Sequence, residues 1–149
     1  MANDSRNNKA TMKELWHKMD GLYDSYAKSI GINFTTIIVL QHLWESSKNL
    51  TQKEVCEMLE LPKQLVNAII KSFWEQGFVI LKETKDRRIK DIILTGKGKD
   101  YATKILKPLE DAESAVWDSF TADEVIALLK GFEKYALVFE GILKKGKFV

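Results

Sequence analysis

Lys63-Gln64-Leu65-Val66-Asn67-Ala68-Ile69-Ile70-Lys71-Ser72-Phe73-Trp74-Glu75-Gln76-Gly77 is the stretch on which the fold turns. At about 100° per residue, Leu65, Val66, Ile69, Ile70 and Phe73 share one side of a helix, with Trp74 at its edge. Gln64, Asn67 and Lys71 lie opposite, flanked by Lys63. Pro62 suits the first turn, where its missing N–H costs nothing, and Gly77 supplies the stop. The polar face is rich in amides and ammonium groups. Amides can pair with adenine edges in a major groove, and lysine reaches guanine or phosphate. A solvated surface helix has a similar face, so the neighbouring segments decide between the two.

Upstream, Leu50-Thr51-Gln52-Lys53-Glu54 opens a short helix that ends near Leu59, and Thr51 and Glu54 have capping-box spacing. Asn33 is placed to cap a helix from Phe34 to about Ser46, whose centre, Ile37-Ile38-Val39-Leu40, is apolar almost all round. Before it, Met12, Leu15, Trp16, Met19, Leu22, Tyr23 and Tyr26 form one helical stripe that Gly31 ends; residues 1–10 read as frayed. Downstream, Phe78–Leu81 and Ile92–Leu94 read as two strands of a hairpin joined by a charged loop. Thr95 caps a fifth helix, which Pro108 is expected to kink or divide. Thr121 and Glu124 repeat the capping box and open a last helix, with a stripe from Val125 through Leu128, Leu129, Phe132, Tyr135, Phe139 and Ile142 to Leu143.

The order predicts a mainly α chain with a small β-hairpin. A winged helix-turn-helix occupies residues 34–95, and helices at 12–30 and 96–145 flank it within one domain of 149 residues. The last helix is too long for so small a domain to bury, so an intersubunit helical interface is its natural partner. The tail Lys144-Lys145-Gly146-Lys147 reads as solvated.

Charge follows the same division. The net charge is only +2, but Lys82–Lys99 holds seven basic and three acidic residues, whereas Asp100–Glu140 holds four lysines and nine acids. A compact basic segment beside an acidic one offers one face to an anion. The one cysteine, Cys56, excludes an intramolecular disulfide and reads as a small buried hydrophobe; His17 and His42 lack ligand-spaced neighbours, so no metal is expected. No phosphate loop, nucleophile elbow or metal-binding helix occurs, so neither an enzyme nor a cofactor is indicated. No apolar run reaches membrane-spanning length and the first eleven residues are polar, which reads as a cytoplasmic protein with no membrane partner.

Three blocks resemble the MarR family of bacterial transcription regulators: Leu50-Thr51-Gln52-Lys53-Glu54-Val55, Glu75-Gln76-Gly77-Phe78-Val79, and Asp86-Arg87-Arg88-Ile89-Lys90-Asp91-Ile92-Ile93-Leu94-Thr95-Gly96-Lys97-Gly98. The last is the most specific, with Asp-Arg-Arg, a strand and Leu-Thr-x-x-Gly. The resemblance implies a homodimer built from the first and last helices, placing two winged domains on a pseudo-palindromic DNA operator as a repressor. It implies base contacts from Lys63, Gln64, Asn67 and Lys71, and phosphate contacts from Thr51 and Gln52. It also implies wing contacts from Lys85, Asp86, Arg87, Arg88 and Lys90, with Asp86 orienting an arginine that enters the minor groove. A small aromatic or anionic effector is implied near Trp16, Tyr23, Tyr26 and His42, releasing the repressor. The chain departs from the family where arginines are common, at Ala68 and Ser72. That departure suits an alternative: a degenerate winged-helix protein-interaction module with little DNA binding.

Overall fold

The computed structural model describes residues 4–146. Helix α1 (Ser5–Ser29) is followed by α2 (Phe34–Glu45), strand β1 (Leu50–Thr51), α3 (Gln52–Leu59), α4 (Lys63–Glu75), β2 (Val79–Glu83), β3 (Lys90–Leu94), α5 (Gly96–Asp118) and α6 (Ala122–Lys145). The architecture is mainly α with a small antiparallel sheet, in the arrangement of a winged helix-turn-helix.

Local capping chemistry sets most boundaries. The Asn33 carboxamide accepts from the Thr36 amide at 2.8 Å, and both capping boxes form, Thr51 with Glu54 and Thr121 with Glu124. Gly31 and Gly77 take positive φ just beyond the ends of α1 and α4. Pro62 stands at the N-cap of α4, one residue ahead of the first turn.

Three expectations are corrected and a fourth is narrowed. Helix α1 begins at Ser5, because the Asp4 carboxylate accepts from the amides of Arg6 and Asn7 and satisfies donors that would otherwise fray. The strands run further into the charged stretch than apolar character suggests, to Glu83 and from Lys90, since ladder bonds need only backbone. The hairpin also gains a third strand: Leu50 pairs with Ile92 and Thr51 with Asp91, giving the order β1-β3-β2. Finally, α5 is not divided at Pro108. Proline removes one backbone donor, and the helix-forming runs on both sides of it outweigh that loss. Lys144 pairs with Glu140, while Lys147 lies outside the described residues.

The chain forms two compact units that join between Lys107 and Pro108. The first holds the core: Ile37, Val39, Leu40, Leu50, Val55, Val66, Ile70, Phe73 and Val79 are almost wholly buried, with Ala102, Ile105 and Leu106 from the first half of α5. Leu65, expected on the buried side of α4, is instead 37% exposed, and Cys56 is half-buried. The hydroxyl of Tyr26 donates to the Ile105 carbonyl at 2.5 Å and ties α1 to α5.

A junction between β2 and α5 explains the Leu-Thr-x-x-Gly pattern. The Thr95 hydroxyl donates to the Gly77 carbonyl at 2.7 Å and accepts from the Gly98 amide at 3.0 Å, so one side chain caps α5 and anchors the turn after α4. Gly98 is obligatory by contact, since a Cβ there would stand 1.9 Å from the Phe78 carbonyl oxygen. Phe78 stacks on Tyr101 with centroids 4.1 Å apart, under the Lys97 ammonium.

The second unit contains the rest of α5 and α6. No residue of α6 is buried, and large apolar side chains along it, from Ile126 to Leu143, stand 40–62% exposed.

Candidate nucleic-acid interface

Helix α4 buries Val66, Ile69, Ile70 and Phe73 and turns Lys63, Gln64, Asn67 and Lys71 to solvent. The exposed face is held by packing behind it, so its side chains project from a rigid element. Lys71 is drawn toward Glu75, 3.8 Å away one turn later, whereas Lys63 has no ion-pair partner among the described residues.

At the start of α3 the Thr51 hydroxyl is fully engaged. It accepts from the Glu54 amide at 3.3 Å and donates to the Glu54 carboxylate at 3.0 Å. The carboxylate also accepts from the Thr51 amide at 2.8 Å and from the Lys48 ammonium at 2.5 Å. The Lys48 bond, followed by those from Thr51, holds the Glu54 carboxyl down at about 2. The first-turn amides of Gln52 and Lys53 have no intrahelical acceptor and remain open to an anion.

The wing is a tight polar turn. Asp86 accepts from the Arg88 amide at 3.1 Å and from its guanidinium at 3.3 Å. The Asp86 carbonyl accepts from the Ile89 amide at 2.8 Å, and the Thr84 hydroxyl donates to the carbonyls of Asp86 and Ile89, both at 3.0 Å. These bonds close the loop around Asp86 and leave the Arg88 side chain 91% exposed. Lys85, Arg87 and Lys90 are exposed, with no ion pair among the described residues.

A groove of about 240 Å³ joins these parts. Its walls bring Thr51 and Gln52 from the start of α3 and Lys63 from α4 to Arg88 and Lys90 of the wing. Gln64, Asn67 and Lys71 lie further along α4, and Lys85, Asp86 and Arg87 lie elsewhere on the wing; none lines the groove. Three lining residues, Lys53, Leu81 and Ile89, were not expected at the site, and Leu81 carries no signal beyond its strand. Lys53 was signalled by its place in the first turn of a capped helix, and Ile89 by being the one apolar residue in a run of charges. Asn67 reaches the groove indirectly, because the Gln52 side-chain amide donates to its carboxamide oxygen at 3.5 Å.

The aromatic residues of the first two helices do not gather around one cavity. Tyr23 stacks on Phe34 at 4.8 Å, the Tyr26 hydroxyl is spent on Ile105, His42 Nδ1 lies 3.1 Å from the Ile38 carbonyl, and Trp16 is 39% exposed. A larger groove of about 620 Å³ lies nearby, lined by Lys28, Asn33, Thr36, Ser72, Gln76 and Tyr101 among others, but not by those four residues. Among the described residues, no group of three or more His, Cys, Asp or Glu side chains could hold a metal ion, and no helix is long and apolar enough to cross a membrane.

Residues 30–89, which include α2, α3, α4 and the wing turn, match the model of the MarR family. The fold of the whole chain agrees with solved MarR-type structures. NMB1585, a MarR family regulator from Neisseria meningitidis, is 24% identical with a TM-score of 0.73, over 93% of this chain and 97% of that one. Streptococcus pneumoniae FabT in complex with DNA superposes with a TM-score of 0.76 at 13% identity, over 93% and 99% of the two chains. The S. aureus MepR–DNA complex does so with a TM-score of 0.70 at 16% identity, over 87% and 96%. No curated protein sequence matches the chain. In this fold the groove lies between the starts of α3 and α4 and the wing.

Proposed function

We propose that this protein is a cytoplasmic, sequence-specific DNA-binding transcription regulator, acting as a homodimeric repressor that a small molecule releases. One observation carries the DNA-binding reading. On a segment that matches the MarR family model, Lys63 at the start of α4, the open first turn of α3 and the cationic wing meet along one groove. Two of the structural neighbours were solved bound to DNA, which supports the same use of the fold here. Lys63, Gln64, Asn67 and Lys71 read base edges in the major groove. The first turn of α3, at Thr51 and Gln52, positions phosphate through backbone amides. Asp86 fixes the wing so that Arg88, with Arg87, Lys85 and Lys90 beside it, meets the minor groove and flanking phosphates.

The dimer reading rests on the apolar stripes. Soluble monomers seldom leave contiguous apolar surface of this kind uncovered. On α1, Leu15, Trp16, Met19 and Leu22 are exposed, and on α6 so are Leu128, Leu129, Phe132, Phe139, Ile142 and Leu143. A second copy that covers these faces presents two α4 helices, with half-sites about one DNA turn, about 34 Å, apart. The effector is a small aromatic or anionic molecule. It favours a dimer whose α4 helices are wrongly spaced for DNA.

Fluorescence anisotropy tests the reading, using the DNA upstream of the protein's own gene against scrambled duplex over a salt series. Tight binding to the upstream duplex alone, falling steeply with salt, is expected. Equal weak binding to both would favour a protein-interaction module, the use that Ala68 and Ser72 suit.

A further inference from the structure

The wing carries one apolar side chain that its own folding does not bury. Between Lys82 and Asp91, Ile89 is the only apolar residue. Its side chain is 44% exposed and stands outside the core. Main chain closes the turn instead. The Ile89 amide donates to the Asp86 carbonyl at 2.8 Å, and the Ile89 carbonyl accepts from the Thr84 amide at 3.2 Å and the Thr84 hydroxyl at 3.0 Å. The side chain is thereby left on the wall of the groove, which it shares with half-buried Leu81. A β-branched side chain on a pinned backbone has few rotamers, so this wall is stiff.

The groove thus has two chemistries. Lys53, Lys63, Arg88 and Lys90 are cationic, and Leu81 and Ile89 are apolar. A nucleic-acid strand alternates the same two: an anionic phosphate, then a sugar whose 2′ carbon is apolar in DNA and carries a hydroxyl in RNA. We propose that Ile89 seats a deoxyribose of the bound strand on the groove wall and rejects a 2′-hydroxyl there. The inference rests on the DNA-binding reading above, and it gives Ile89 a role in reading the sugar rather than the base. The cations draw a phosphate into the groove, and the adjoining sugar meets Ile89 and Leu81. A hydroxyl pressed against that wall loses water and finds no partner on either side chain, which weakens binding.

The test first enriches randomised duplex DNA on the full-length protein to obtain a bound sequence. Each nucleotide of both strands is then replaced, one at a time, by its ribonucleotide, and affinity is measured by fluorescence anisotropy. The unmodified protein is expected to lose about tenfold at one position in each half-site and little elsewhere. Ile89→Thr keeps the branched shape and offers a hydroxyl partner, so the loss at that position should shrink to about twofold. Ile89→Val stays apolar and should keep the loss. Both variants should melt with the parent in circular dichroism, since the side chain is exposed. A ribose also shifts the local duplex toward A-form shape, an effect that Ile89→Thr does not relieve. A loss that persists in Ile89→Thr, a loss relieved equally by Ile89→Val, or no position-specific loss at all overturns the sugar contact and leaves DNA binding standing. Failure of the unmodified protein to enrich any sequence overturns both readings.

Discussion

The two compact units of this chain handle apolar surface in opposite ways. Within residues 4–107 a core closes, with Val66 and Phe73 behind the outward face of α4 and Val79 and Ile92 beneath the wing, and the exposed apolar stripe is confined largely to α1. Residues 108–146 leave theirs open, and along α6 no residue is buried although apolar residues recur at helical spacing. The first unit closes a core from its own side chains. Helix α6 has good caps but buries none of its residues, and most helical stability comes from packing an amphipathic face. The winged unit should thus keep its structure from within, whereas α6 should depend on association.

The sharpest contrast is between two glycines. Gly98→Ala drives a Cβ into the Phe78 carbonyl and is expected to cost about 3 kcal/mol in urea denaturation, because backbone must move. Gly131→Ala, in α6 with no atom within 4 Å of its new Cβ, is expected to add up to about 1 kcal/mol through helix propensity. A loss at Gly131 would place a covering surface there.

Next in size is the double change Leu129→Glu with Phe132→Glu. Sedimentation is expected to show a monomer. Affinity for a two-half-site duplex should fall by about a hundredfold as bivalency is lost, while the winged unit keeps its near-ultraviolet dichroism. A variant that stays dimeric would show that the exposed stripe of α6 is not the contact.

The wing should be separable from both. Arg87→Ala with Arg88→Ala leaves stability within about 0.5 kcal/mol, since both side chains are exposed. The slope of log affinity against log salt should become shallower by up to about two phosphate contacts. An unchanged slope would mean that the wing does not touch DNA.

The smallest effect compares the two capping boxes. The Glu54 carboxyl, hydrogen-bonded by Lys48 and Thr51, is lowered from 4.5 to about 2; Glu124 is lowered by the Thr121 bonds, with no lysine beside it. A carboxyl lowered by folding contributes stability that is fully present above its unfolded value and is lost as pH falls through the folded one. The Glu54 contribution therefore fades from about pH 4.5 to about pH 2. Thermal melts over that window should flatten in Glu54→Gln. Lys48→Met should shift the loss to higher pH, and Glu124→Gln should change the profile less.

Legibility in the sequence follows the range of the interactions. Asn33, Thr51, Thr121, Gly31 and Gly77 act on backbone within a few residues, so composition and spacing locate them. The outward face of α4 was equally plain, because helical period alone sorts Asn67 from Val66. Leu65 escaped that rule, since it stands at the margin of the apolar stripe and packing decides whether a marginal position is covered.

The sequence by itself determined the element order, the caps, the two faces of α4 and the unfilled stripe of α6, since each depends on local backbone chemistry or on one helix's period. Only the tertiary structure decided the rest. The pairing of Leu50 with Ile92 joins backbone some forty positions apart, and a two-residue strand has no pattern of its own. The need for glycine at 98 arises from the carbonyl of Phe78, twenty residues earlier. The groove exists because the sheet and the α3–α4 pair set the wing against two helix starts. The bond from Gln52 to Asn67 spans the turn between α3 and α4. Each is a contact between segments whose meeting depends on the packed core, and no spacing in the chain encodes it.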